Sequence, residues 1–193
     1  MTGERFVLAT ANPDKADEIR AILGEEVALV PRPSHVPDVD ETGDTLEANA
    51  RLKADALVAA TGMPAIADDT GLEVDALGGA PGVYSARFAG EHATYDDNVA
   101  KLLADLDGVA DRRARFRTVA VARWPDGREV LVDGVVEGTI TTERRGGGGF
   151  GYDPVFVPAG WQRTFAEASA DDKHAVSHRG RAFRALAARL TAS

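Results

Sequence analysis

The sequence predicts a domain that mixes strands and helices around an elongated mixed sheet, of the α/β or α+β class. Three observations lead there. Strand-like and helix-like segments alternate along the chain, with no repeat, low-complexity tract or interdomain linker between them. One long antiparallel hairpin is written in "RARFRTVAVARW", "PDG" and "REVLVDGVVEGTI", with Pro-Asp-Gly at the bend. The chain has 193 residues and is 44% hydrophobic, enough for one domain with a full core.

The elements follow in order. "RFVLAT" (5–10) reads as a short strand and "NPDKADEIRAIL" (12–23) as a helix. Asn12 suits the N-cap, Pro13 the first turn, and Asp14, Asp17 and Glu18 the positive end of the helix dipole. "VALV" (27–30) is a short strand, and 31–44 a Pro- and acid-rich loop. "TLEANARLKADALVAATG" (45–62) is a helix closed by Gly62. "AIADD" and "LEVDAL" read as two short strands around a Thr70–Gly71 turn. A helix over 93–108, the hairpin, a strand "YDPVFVP" and a closing helix over 175–190 complete the chain.

Composition excludes several chemistries. There is no cysteine, hence no disulfide, thiolate zinc site, iron–sulfur cluster or thiol nucleophile. No apolar run is long enough to span a membrane and the start is not signal-like, so a cytoplasmic protein without membrane partners is expected. A net charge of −9 argues against nucleic acid as a partner. Of the 22 basic residues 18 are Arg, which singles out the lysines Lys15, Lys53, Lys101 and Lys173 as candidates for gripping phosphate as point charges.

Five stretches could carry chemistry. In "TANPDK" (10–15) a strand ends at a helix start, where free N–H groups and the dipole attract phosphate and Lys15 stands close by. In "ETGDTLEANARLK" (41–53), Asn49 and Lys53 share a helix face behind Glu41. In "ADDTG", Asp68 and Asp69 point to opposite sides of an extended chain, so one of them can meet Mg²⁺ or a metal-bound water. In "GGGGFGYDP", Gly146, Gly148 and Gly151 fit GxGxxG in form only, since no buried strand precedes them and no helix follows. A glycine loop presenting Phe150 and Tyr152 to a flat ligand fits better, and a single RGG-like copy in an acidic chain gives little support for nucleic-acid binding. In "DDKHAVSHRG", His174 and His178 have zinc-pair spacing but no third ligand, and Lys173 would repel a cation; an anion and base pocket suits the cluster better. Each stretch also has a plain structural reading, as a capped helix, an amphipathic face or a polar strand end.

Taken in order, "TANPDK", "ETGDTLEANARLKA", "ADDTGLEVDALGGAPGVYSARFAG", "GGFGYDPVF" and "SHRGRAF" resemble the motifs of the inosine/xanthosine triphosphate pyrophosphatase family from residue 5 to about 190. Thr10 and Thr70 stand where that family often has Ser, and both keep the hydroxyl. The resemblance implies a single α/β domain over 1–193, with an elongated mixed β-sheet, flanking helices and two lobes around a central substrate cleft. It also implies a homodimer, with the "LGGAPGVYSARF" loop as candidate surface, and the reaction NTP + water → NMP + pyrophosphate on ITP, dITP and XTP, with Mg²⁺.

The triphosphate would meet Thr10, Ala11, Asn12, Pro13, Asp14, Lys15 and Lys53, with Thr70 and Lys173 nearby. Mg²⁺ would be held by Asp69 together with Asp40 or Glu41, and Asp69 would be metal ligand or base. The purine would lie against Phe150, Gly151 or Tyr152, with Asp153, His178 and Arg179 at its edge. A nucleotide-binding module without hydrolysis, or a pyrophosphatase for modified pyrimidine triphosphates, are the competing readings. The acidic corner opposes the first and the "SHRG" cluster the second.

Overall fold

The computed structural model describes residues 4–192. Its strands are β1 (Arg5–Leu8), β2 (Ala28–Val30), β3 (Ala65–Val74), β4 (Pro81–Gly82), β5 (Arg113–Arg123), β6 (Glu129–Ile140) and β7 (Phe156–Pro158). Its α-helices are α1 (Pro13–Leu23), α2 (Leu46–Thr61), α3 (Tyr95–Asp105), α4 (Ala170–Val176) and α5 (His178–Thr191). The strands form one open mixed sheet in the order β2-β1-β3-β5-β6-β7, with β4 added beside β3. β1 pairs in parallel with β2 and β3, whereas β3–β4 and β6–β7 are antiparallel. The fold class expected from the sequence is therefore the one observed.

Capping chemistry sets the helix ends. Asn12 caps α1 with Pro13 in the first turn, and Thr45 caps α2, whose end is closed by Gly62 in the left-handed conformation. Thr94 and Asp97 form a reciprocal capping box on α3.

Three expectations are corrected. The segment read as two short strands about Thr70–Gly71 is the single strand β3, ten residues long and buried on both faces. Gly71 is no turn residue there: a Cβ at that position would stand 2.6 Å from the Gly82 carbonyl oxygen of β4, so the glycine admits a close neighbour. The closing helix is interrupted at Ser177, whose φ −64° and ψ 158° are extended, giving α4 and α5. "YDPVFVP" holds a 3₁₀ turn over Asp153–Val155 before the short strand β7, because Pro154 favours the turn.

The chain divides into two compact units. The first runs to Asp69 and includes Thr118–Gly134 and the chain from His178 onward; the second comprises Thr70–Arg117 and Val135–Ser177. The core of the first packs Ile19 and Leu23 of α1 and Phe183 and Leu186 of α5 with Phe6, Ile66 and Trp124. The core of the second gathers Leu102 of α3 with Phe116, Phe156, Phe165 and Tyr152. Among the described residues no helix is long and apolar enough to cross a membrane.

Candidate active site

The residues expected to contact a substrate divide between the two units. In the first, β1 runs out at Leu8 and the chain turns into α1. Thr10 Oγ1 accepts the Asn12 N–H at 3.1 Å, and Asn12 Oδ1 accepts the Lys15 N–H at 3.1 Å. Ala11, Pro13 and Asp14 are exposed at this helix start. The Lys15 ammonium lies 3.5 Å from Asp68 Oδ2, and burial pulls its pKa below the ordinary lysine value.

α2 supplies the second cation. Lys53 Nζ donates to Glu41 Oε1 at 2.7 Å and to Asp69 Oδ1 at 2.8 Å. One turn earlier on the same face, buried Asn49 donates through Nδ2 to Asp69 Oδ2 at 3.3 Å. Its Oδ1 accepts the Gly43 N–H at 2.8 Å. Burial pushes the Asp69 carboxyl up, more than Lys53 and Lys15 pull it down. Burial also disfavours the Lys53 charge, yet Asp69, Asp68 and Glu41 together hold that pKa above the ordinary value.

The two adjacent aspartates thus serve different partners, as strand alternation requires. Asp69 faces α2, while Asp68 meets Lys15 and Arg179, the latter through Nη2 at 3.4 Å. Arg179 is 2% exposed, and its Nη1 donates to Glu18 Oε2 at 2.5 Å. The guanidinium expected at a base edge is thus held by two carboxylates beside Lys15. His178 opens α5 with its backbone against β6, where a Cβ on Gly134 would come within 2.2 Å of the His178 carbonyl oxygen.

In the second unit the glycine loop is organised by Asp153. Its Oδ2 accepts the Phe150 N–H at 2.9 Å and the buried Lys173 ammonium. That ammonium also lies 4.9 Å from the centroid of the Phe150 ring and 5.8 Å from that of Phe165. Phe150 is half-buried, whereas Tyr152 is buried and donates its hydroxyl to the Ser85 carbonyl at 2.8 Å. Of the two aromatics, Phe150 is the less buried, and its ring also lies 5.8 Å from that of Tyr95. Gly151 and Thr70 are half-buried.

Among the described residues no three His, Asp or Glu side chains gather as a metal cluster. Two carboxylates, Glu41 and Asp69, nonetheless converge on one cationic nitrogen, while the Asp40 side chain is exposed. Mg²⁺ keeps several waters and shares substrate phosphates, so one or two protein carboxylates suit it. The donor set therefore fits a hard divalent cation.

A sequence model of the Ham1 family matches residues 6–189. The chain belongs to the Ham1 family. Relatives of the chain include the dITP/XTP pyrophosphatase of Streptomyces coelicolor, 49% identical over 189 residues and 94% of both chains. The dITP/XTP pyrophosphatase of Chlorobaculum tepidum is 50% identical over 207 residues, 96% of this chain and 92% of its own. The Ham1 fold is shared with a HAM1 protein from Coxiella burnetii, with a TM-score of 0.90 and 41% identity over 98% of this chain and 100% of that one.

Glu18 and Gly43 were not among the expected site residues, and Asn49, singled out beside Lys53, was given no partner. Asn49 had a signal, its i, i+4 spacing to Lys53; Glu18 read only as a first-turn helix acid, and Gly43 as a loop residue.

Proposed function

We propose that this Ham1-family chain hydrolyses nucleoside triphosphates to the monophosphate and pyrophosphate, with ITP, dITP and XTP as preferred substrates. The observation that carries the reading is Lys53 held between Glu41 and Asp69 in the same unit as Lys15 and the start of α1. Two lysines and a helix N-terminus suit a polyphosphate, and the paired carboxylates suit the cation that accompanies it. The names of the curated relatives point the same way.

Glu41 and Asp69 would hold Mg²⁺, which when bound neutralises phosphate charge. Lys15 and Lys53 grip the phosphate oxygens and orient the chain of anhydrides. Water attacks the α-phosphorus, Asp69 stands as the acceptor for its proton, and pyrophosphate departs in line. In the second unit, the Phe150 ring suits a flat base. The Lys173 ammonium suits an O6 acceptor, which hypoxanthine and xanthine carry and adenine lacks. The reading includes a homodimer, which sedimentation at micromolar concentration checks.

One assay tests the activity: purified chain with Mg²⁺ and, separately, ITP, dITP, XTP, GTP, ATP and dTTP, following pyrophosphate. Turnover of the first three with pyrophosphate as product is expected. No turnover of any nucleotide overturns the reading, and release of free phosphate overturns attack at the α-phosphorus.

A further inference from the structure

We infer that Asn49 is the positioning residue that sets the spacing of Glu41 and Asp69, and through them the cation affinity of the site. The inference rests on the proposed reading of those two carboxylates as the metal pair.

Asn49 is fully buried, with 0% exposure, which is unusual for an amide unless both of its ends are used. Both are. Nδ2 donates to Asp69 Oδ2, and Oδ1 accepts the N–H of Gly43, two residues beyond Glu41. A flipped amide would set Nδ2 against the Gly43 N–H and Oδ1 against a carboxylate oxygen, so its partners admit one orientation only.

Lys53 completes the arrangement from one helical turn further on, taking Asp69 Oδ1 and Glu41 Oε1. One face of α2 therefore fixes both oxygens of Asp69 and two points of the loop that carries Glu41. The two clamps differ in what they can hold. Lys53 is a cation at the point where both carboxylates converge, and an incoming divalent cation competes with it for the same oxygens. Asn49 is neutral and grips the far oxygen of Asp69 and the loop backbone, so its two bonds persist when the cation enters. Outer partners of this kind are worth about 10–100-fold in metal affinity.

Gly43 shows how tight the link is. A Cβ there would stand 2.7 Å from Asn49 Oδ1 and 2.7 Å from the Ala48 Cβ. Gly43→Ala therefore severs the same link from the loop side with the amide still present.

The test compares the full chain with Asn49→Ala, Gly43→Ala and the double variant. Calorimetric titration with Mg²⁺ or Mn²⁺ alone, without nucleotide, gives cation affinity. Steady-state hydrolysis of ITP gives the Mg²⁺ concentration for half-activation and, at saturating Mg²⁺, the KM for nucleotide. Both single variants are expected to weaken cation binding and raise the half-activation concentration about tenfold. KM at saturating Mg²⁺ stays within twofold, and the double variant is little worse than either single one.

A residue that merely supports the fold would lower the thermal midpoint and leave cation affinity unchanged in the folded fraction; that result overturns the proposal. Additive losses in the double variant also overturn it. If Asn49→Ala does not fold, Gly43→Ala decides by the same measurements. Wild-type cation binding without hydrolysis of any nucleotide would sink the proposed reaction while leaving the role of Asn49 measurable; wild-type chain that binds neither cation would sink the role of Asn49.

Discussion

Lys53 lies between two carboxylates, 2.8 Å from Asp69 Oδ1 and 2.7 Å from Glu41 Oε1. Lys53→Met leaves those carboxylates facing one another without the cation. Breaking a buried pair on one side costs about 3–5 kcal/mol. The thermal midpoint in EDTA should fall accordingly, and millimolar Mg²⁺ should restore part of it. Equal midpoints for variant and wild type, or no response of the variant to Mg²⁺, would remove the cation site from this corner.

Asp69→Asn keeps the outline of the side chain and discards its charge. Turnover should drop by about 10²–10⁴-fold, the range associated with losing a positioned proton acceptor. Circular dichroism should be unchanged, since Asn keeps one oxygen to accept from Lys53 and gives up only the bond from Asn49. Activity near the wild-type level would show that the reaction does not use Asp69.

Lys15 carries a pKa below the ordinary lysine value because it is buried. On raising the pH it therefore loses its charge before an ordinary lysine does, and KM for a triphosphate should climb correspondingly early on the alkaline side. Lys15→Arg keeps the charge throughout and should abolish that rise. Stability moves the other way: between the lowered and the ordinary value the unfolded chain binds more protons, so folding is favoured as pH increases through that window. An alkaline KM rise that persists in Lys15→Arg would assign it to another group.

Arg179 binds Glu18 at 2.5 Å and Asp68 at 3.4 Å while itself buried. Arg179→Ala leaves two carboxylates without their guanidinium and should cost about 3 kcal/mol, read as a lower denaturation midpoint in urea. Adding Glu18→Gln should return part of that loss, because one stranded charge is removed. A double variant less stable than Arg179→Ala would contradict the pairing.

Gly149 has φ +66°, and a Cβ there would stand 2.1 Å from Asp153 Oδ2. Gly149→Ala should displace Asp153 from the Phe150 N–H and from Lys173, on top of a backbone cost of about 1 kcal/mol. KM for ITP should rise with kcat nearly unchanged; a KM equal to the wild type would separate this loop from substrate binding.

Much of this was legible in the chain itself. Asn12, Pro13, Thr45 and Gly62 mark helix ends because capping is a local bargain between a side chain and the nearest few backbone groups. The same locality explains the misreading of β3. Thr70–Gly71 has the composition of a turn, and only Gly82, arriving from another strand, reveals why the glycine is there. The break at Ser177 had only weak signals, a serine suited to a cap and Gly180 one turn later, and neither by itself ends a helix.

The sequence by itself determined the capped ends of α1 and α2 and the mixed strand–helix class. It also determined the ordered motifs that marked the family, because these depend on near neighbours or on residue identity. Tertiary structure alone decided the partners: that Asp68 serves Lys15 and Arg179 while Asp69 serves Lys53 and Asn49, that Arg179 is held by Glu18, and that Tyr152 spends its hydroxyl on Ser85. Charge pairing and burial act through space between residues far apart in the chain, so spacing within the sequence carries no record of them.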